Sequence, residues 1–361
     1  MEIGAKYPCR KDCGAPPSTA LQAPQFDCEF DPVSMSTFKP VSSHNPRRIL
    51  VTGGAGFVGS HLVGRLLGEG HEVTIIDDCS TGTAENLTLH KGNSRMDLRV
   101  CRVSDCGELV GIVRRVDFVF HLAAAVGVDL VVNSPIRTIQ TNLRETEVLL
   151  EAASLSGTPV LLASTSEVYG KSSKPLFAET DDLLIGPPTL GRWSYACSKL
   201  MDEFLAMAYF KERNLPIIIA RLFNTVGPRQ TGRYGMVLPR FIESAKTNQP
   251  LRVFGDGSQS RCFCYVNDTV ESLVRLAWSD QARGQVFNVG ATDEIQIIEL
   301  ARLVIEVLES KSRIQLVPYA EAYSTGFEDM RRRKPDVNKL FECVGFRPAT
   351  GLRDIIKLAA G

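Results

Sequence analysis

The chain has no excess of charge: 41 Lys and Arg balance 41 Asp and Glu over 361 residues. A neutral balance gives no general attraction to nucleic acid or anionic lipid, so neither is expected as a partner. No apolar run approaches the ~18 residues that span a bilayer, and no membrane segment is expected. The ten cysteines lack both the even spacing of a secreted disulfide framework and the paired spacing of a zinc site. They read as free thiols of a reducing, cytoplasmic compartment, and no metal is expected. There is no internal repeat. Residues 1–47 lack the basic start and apolar middle of a signal peptide. Their mixture of Pro, Gly, Ser and charge, as in "KDCGAPPSTALQAPQFDCEFDP", has no periodicity and predicts a disordered extension. Met35 is a candidate natural start, and a chain beginning there is expected to fold and work unaided.

What remains has an ordinary globular composition, 44% hydrophobic and 23% charged. From Arg48 short apolar runs alternate with helical ones. "RILVT" (48–52), "HEVTIID" (71–77), "LRVCRV" (98–103), "DFVFHLA" (117–123), "PVLLAS" (159–164) and "PIIIAR" (216–221) read as strands. "FVGSHLVGRLLGEG" (57–70) reads as a helix that ends at glycine. Apolar strands separated by helices predict a parallel sheet covered on both faces. After about Asn224 the regularity breaks into "LRVFG", "RCFCYV", "QVFNVG" and "IQLVPY", with helical runs at 236–247, 267–278 and 297–309. This predicts a smaller α/β lobe over 224–361, built onto a first domain over 48–223, with crossings of the chain between the two lobes left open.

In "VTGGAGFVGSHL", Gly53, Gly56 and Gly59 fall between the first strand and the first helix. Glycine there lets the backbone approach a pyrophosphate, which then rests on a helix N-terminus. The second strand ends in Asp77, placed to accept both ribose hydroxyls of NAD and to repel the 2′-phosphate of NADP. Ser164, Thr165, Ser166 and Glu167 sit at the C-terminal end of a strand, where open α/β sheets bind ligands. Tyr195 and Lys199 lie one helical turn apart and share a face. A tyrosine is a weak base with a pKa near ~10, and a nearby ammonium favours its phenolate. Tyr195 is then placed to take a proton from a hydroxyl while hydride leaves the carbon.

Six motifs, in order, carry a family resemblance: "TGGAGFVGSHL", "HLAA" (121–124), "STSEVYG" (164–170), "YACSK" (195–199), "RLFNTVGPRQ" (221–230) and "GDGSQSRCFCYVND" (255–268). From about 48 to 359 the chain resembles the extended short-chain dehydrogenase/reductase superfamily, and within it the nucleotide-sugar epimerase, dehydratase and decarboxylase group. The resemblance implies a Rossmann-type doubly wound parallel sheet with a smaller C-terminal α/β substrate lobe. It implies NAD held by Gly53, Gly56, Phe57, Val58, Gly59, Asp77, Val103, Leu122, Ala123, Ala124, Asn142, Tyr195 and Lys199. It implies a UDP-sugar held by Asn224, Arg229, Arg261 and Arg333, and a homodimer joined through the helical runs 135–155 and 194–214. Three positions depart from the pattern: Asp78 replaces an asparagine, Arg102 an aspartate near the adenine, and Glu145 a glycine.

Three reactions share a first step, oxidation of the sugar C4 hydroxyl. The Thr165-Ser166-Glu167 sequence, and "GFEDMRRRKPD" (326–336) with Arg333 before Lys-Pro, look most like the UDP-glucuronate decarboxylases. Thr165, Glu167, Tyr195, Lys199 and Arg333 are then the expected catalytic set, with Arg333 holding the substrate and Glu167 orienting or protonating the sugar near C5. "YACSK" is also shared with epimerases, so a UDP-glucose or UDP-glucuronate 4-epimerase stands as the alternative. A 4,6-dehydratase and a non-catalytic NAD-binding sensor come after it.

Overall fold

The apolar runs pair into a seven-stranded parallel sheet. Its strands are β1 (Arg48–Thr52), β2 (Glu72–Asp77), β3 (Met96–Val100), β4 (Phe118–His121), β5 (Val160–Thr165), β6 (Ile217–Leu222) and β11 (Gln285–Val289), in the order β11-β6-β5-β4-β1-β2-β3. The structure is a computed structural model and describes residues 45–126, 134–232, 236–318, 321 and 330–361. Residues 1–44 of the expected disordered extension therefore lie outside the described residues, as do residues 326–329 of the "GFEDMRRRKPD" segment; Arg47, at its other end, is ordered, its carbonyl accepting from the Glu72 N–H.

Successive residues of each strand enter opposite cores, as the two-residue period requires. Ile49, Val51, Phe118, Phe120, Leu161, Ile218 and Ala220 face one side, against helix α1 (Phe57–Gly68) and helix α6 (Val266–Ala277). Leu50, Val119, Val160, Leu162, Ile217 and Ile219 face the other, against α2 (Leu109–Arg115), α3 (Pro135–Ser154) and α4 (Trp193–Arg213). A sheet wetted on neither face explains why the strands read as continuous apolar runs.

Two elements differ from expectation. The third strand ends at Val100, and Cys101 already turns back with its N–H on the Arg99 carbonyl. "QVFNVG", assigned with the smaller lobe, is the seventh strand of the main sheet, with Val286 opposite Ile219 and Phe287 opposite Ala220. Phe287 and Val289 are fully buried, and burial beside β6 supplies what a short strand in a small lobe would lack.

The rest of the C-terminal part packs around a third core. Here α5 (Val237–Lys246), α7 (Ile297–Val307) and α9 (Leu352–Ala360) cover β8 (Leu251–Phe254), which pairs in parallel with β13 (Ile314–Val317). "RCFCYV" is two strands rather than one. Ser260–Cys262 (β9) pairs antiparallel with Glu294–Gln296 (β12), and Cys264–Tyr265 (β10) pairs parallel with Thr225–Val226 (β7). Phe263 between them enters the third core. Pro46–Gly361 form one compact unit. Among the described residues no helix is long and apolar enough to cross a membrane, and the seven described cysteines are free thiols.

Candidate active site

The strand order reverses direction between β1 and β4, and the glycine turn lies at that point. Gly53 has φ +71°, and a Cβ on it would come 2.7 Å from the Ala123 nitrogen. A Cβ on Gly59 would come 2.1 Å from the Gly53 carbonyl oxygen, so α1 packs directly on the turn's backbone. Gly56 caps α1; no side chain caps that end and its first turn has no carboxylate. The first turn, with Phe57 and Val58, thus presents N–H groups without a side-chain cap at the positive dipole end of a twelve-residue helix. A cradle that a Cβ would fill, ending in an uncapped helix start, fits a dinucleotide pyrophosphate.

Asp77 braces this turn. Its carboxylate accepts from the Ala55 N–H and the Cys79 N–H, each at 2.8 Å. Burial pushes its pKa up, and those backbone N–H groups oppose the rise. The segment after β4 crosses beside it. Leu122 donates its N–H to the Thr52 carbonyl at 3.1 Å, and Ala123 to the Thr52 hydroxyl at 3.3 Å. Ala124 follows in the same extended segment. Asn142 on α3 pins that segment, accepting from the Ala125 N–H at 2.7 Å and donating to Ser198 Oγ on α4 at 3.0 Å. Val103 is buried in the turn after β3. The three departures also find places there. Glu145 is buried and accepts from the N–H and hydroxyl of Ser104, while Arg102 and Asp78 approach to 3.7 Å. A carboxylate thus occupies the space a glycine would leave open.

The second group gathers where β5 ends. Thr165 Oγ1 accepts from the Glu167 N–H at 3.2 Å and lies in hydrogen-bonding reach of Tyr195. Burial pushes the Tyr195 phenol well above its ordinary pKa, the Glu167 and Asp202 charges add to the rise, and the Thr165 hydroxyl opposes it. Lys199 is 2% exposed and donates to Asp202 at 2.8 Å.

Glu167 sits among guanidinium groups. Arg333 reaches its Oε1 at 2.5 Å and Arg192 its Oε2 at 3.0 Å. Burial alone would raise the Glu167 pKa, but the charges of Arg333, Arg192 and Arg261 outweigh it and hold the carboxyl below its ordinary value. Three guanidiniums around one carboxylate leave a net positive pocket. Arg333 is held there by its own backbone: the Phe177 N–H donates to the Lys334 carbonyl, the Asp336 N–H to the Phe177 carbonyl, and the Ser260 N–H to the Arg331 carbonyl.

The remaining expected residues are spread around this pocket. Arg261 is buried, its guanidinium on the Ser260 carbonyl at 2.7 Å. Asn224 ties the end of β6 to the Cys262 carbonyl at 3.0 Å. Arg229 takes a left-handed backbone, φ 67°, and donates to Ser60 of α1 at 3.2 Å, so its described contact lies at the helix rather than at Glu167. Sequence reasoning passed over Arg192 and Asp202. The signal for both was helical spacing, Arg192 three residues before Tyr195 and Asp202 three after Lys199.

The comparisons agree with this geometry. The model of the NAD dependent epimerase/dehydratase family matches residues 49–290. A UDP-N-acetyl-alpha-D-glucosaminuronate decarboxylase of Bacillus cytotoxicus is 41% identical over 316 residues, 86% of this chain and 97% of the relative. UDP-glucuronic acid decarboxylase 4 of Arabidopsis thaliana is 37% identical over 86% of this chain and 67% of its own. The crystal structure of a UDP-glucuronic acid 4-epimerase from Bacillus cereus, with UDP-glucuronic acid and NAD, superposes with a TM-score of 0.78 at 28% identity. It covers 87% of this chain and 98% of that one. With a glycine turn on an uncapped helix, an Asp at the end of β2 and a half-buried Tyr195 one turn from the buried Lys199, this chain belongs to the NAD dependent epimerase/dehydratase family.

Proposed function

We propose that the protein is an NAD-dependent decarboxylase of a UDP-hexuronate, with UDP-glucuronate as substrate. The observation that carries this reading is the Arg333–Glu167–Arg192 cluster beside Thr165 and Tyr195. A site that oxidises a neutral sugar needs no surplus of buried guanidinium. A site that holds a uronate carboxylate while its neighbouring carbon is oxidised does.

The dinucleotide is held by the turn Gly53–Gly59, by Asp77, by Val103 and the segment 122–124, and by Asn142 and Lys199. When bound, NAD supplies the acceptor for the C4 hydride and, in its oxidised form, a positive charge that favours the phenolate. The chain's own residues do the rest. Thr165 hydrogen-bonds the reacting C4 hydroxyl, and Tyr195 takes its proton. The oxidised sugar is a β-keto acid. Arg333 and Arg192 orient its carboxylate, and Asn224 and Arg261 hold the diphosphate. When the bond from C5 to the carboxylate breaks, carbon dioxide leaves and the electron pair passes to C5 and O4. Tyr195, now protonated, hydrogen-bonds O4, and C5 takes up a proton. Glu167 is ionised under its guanidiniums, so it serves to orient rather than to donate that proton.

We further infer a homodimer located in the cytoplasm. The exposed Ile136 on α3 and Met201 and Phe204 on α4 form apolar surface of the kind a second copy covers. A monomer mass by light scattering at micromolar concentration would rule this out. One observation favours a second substrate: the Bacillus relative at 41% identity is named for a 2-acetamido uronate.

The test is mass spectrometry of the nucleotide product from UDP-glucuronate and from its 2-acetamido analogue. A product about 44 Da lighter, or a 4-keto pentose about 2 Da below that, marks decarboxylation after hydride removal. Unchanged mass with inverted C4 replaces this reading with the 4-epimerase.

A further inference from the structure

The pair beneath the catalytic tyrosine has a second member that the mechanism above does not use. Asp202 is fully buried, and its Oδ2 accepts from the Lys199 ammonium at 2.8 Å. Its other oxygen, Oδ1, has no hydrogen-bond partner among the described residues. A buried carboxylate with one unmatched oxygen is a poor stabilising device, because an apolar side chain would pack there at lower cost. The arrangement has to be explained by what the carboxylate does for Lys199.

Lys199 is itself 2% exposed, and a charge so buried is costly unless an opposite charge stands beside it. The charged groups around it come from every neighbouring element. His121 on β4 is neutral, its pKa pushed down to about 3 by burial and then by the Lys199 charge. Thr146 on α3 bonds that histidine at 3.2 Å, carries no charge and also approaches Asp202; burial pushes the Asp202 pKa up, and Lys199 first and then Thr146 oppose the rise. Glu203, next on α4, is engaged by Arg221. Glu167, beyond Tyr195, is engaged by Arg333 and Arg192. Asp202 is the carboxylate left to Lys199.

We propose that Asp202 is a positioning residue, the fixed counter-ion that keeps Lys199 charged on the helix face it shares with Tyr195. This rests on the reading of Tyr195 and Lys199 as the catalytic pair. Two of the three ammonium hydrogens remain for the phenol and the dinucleotide, and the third anchors them. Without the anchor the ammonium loses its fixed place beside the phenol, a loss expected to outweigh the relief of the Asp202 charge, which by itself raises the phenol pKa.

The test uses the full chain and the variants Asp202→Asn, Asp202→Glu, Lys199→Met and the double variant Lys199→Met/Asp202→Asn. NAD affinity is measured by calorimetry, and NADH formation from UDP-glucuronate is followed by absorbance across pH. Asp202→Asn is expected to weaken NAD binding about tenfold and to move the acid limb of the rate profile up by about one pH unit. Asp202→Glu returns the limb to its wild-type position. In the Lys199→Met background Asp202→Asn causes no further loss of NAD affinity. An Asp202→Asn protein with wild-type affinity and an unmoved limb overturns the proposal. If that variant does not fold, Lys199→Met and the double variant decide, and a further loss of NAD affinity in the absence of the lysine overturns it. The calorimetric arm needs no sugar, so a chain that releases no carbon dioxide refutes the reaction while leaving Asp202 to be judged by NAD binding.

Discussion

Replacing Glu167 by Gln removes one charge from a carboxylate gripped by two guanidiniums, at 2.5 Å from Arg333 and 3.0 Å from Arg192. A charge-assisted bond contributes about 1.5–3 kcal/mol and a neutral one about 0.5–1.5 kcal/mol. The amide oxygen can accept from one arginine, but the NH₂ then faces the other, donor against donor. Glu167's side chain is 21% exposed, so solvent screens the pair only in part. The expected loss is about 2–3 kcal/mol, or roughly 3–5 °C in Tm for a chain of this size. The sign with pH follows from the depressed folded pKa. The wild-type advantage is present above the unfolded value of about 4.3 and is lost as pH falls through the folded value. Thermal melts of both proteins from pH 7.5 to 3.5 should therefore show a constant gap down to about pH 4.5 that narrows below it. A variant as stable as wild type at neutral pH, or a gap unchanged in acid, would refute the claim that Glu167 is an ionised anchor. Carbon dioxide release by the variant is a separate readout. If it continues at the wild-type rate, Glu167 does not orient the sugar.

Asp77→Ala should weaken NAD binding, shrink the bias against NADP, and cost about 1–3 kcal/mol because the Ala55 and Cys79 N–H groups lose their acceptor. Calorimetry with both dinucleotides checks it, and equal wild-type affinity for the two would refute the role. Gly59→Ala puts a methyl 2.1 Å from the Gly53 carbonyl oxygen, backbone that cannot yield, so soluble protein with unchanged Tm and NAD affinity is the outcome that contradicts the packing argument. Met201→Ser with Phe204→Ser should shift the mass seen by light scattering toward the monomer; an unchanged mass would place the dimer contact elsewhere.

What was legible in the sequence was local. The glycine turn is specified within twelve residues, because strand, turn and helix each need their residue types in place. Tyr195 and Lys199 are fixed relative to each other by one helical turn, and Asp77 by the end of its strand. Strand boundaries read within a residue or two where a strand is buried on both sides. The third strand was misjudged at its end, where burial stops: Met96 and Leu98 are only half-buried and Asp97, Arg99 and Val100 are exposed, so apolar content no longer marks the limit. Assignment of "QVFNVG" failed for a different reason. Its residues announce a strand but not which sheet it joins, and its partner β6 lies more than sixty residues earlier.

The residues that were missed, Arg192 and Asp202, are those whose meaning depends on burial or on a distant partner. Arg192 reads as one more surface cation until the fold brings Glu167 to it from 25 positions away; Arg333, which its segment did point to, meets the same carboxylate across 166 positions. In "KLMDEF" Asp202 looks like solvated charge beside Glu203, and nothing local says that both are buried. The structure separates their tasks. Glu203 turns to Arg221 and Ser164 and fixes the end of β5, whereas Asp202 turns to Lys199, one turn below Tyr195. Two adjacent carboxylates on one helix thus hold the two halves of the site, the hydroxyl-bearing strand end and the tyrosine–lysine face. Their geometry rests on buried charge pairs, which lose far more when one partner is removed than exposed pairs do. That is why the site's sensitivity to substitution should lie as much beneath Tyr195 as around it.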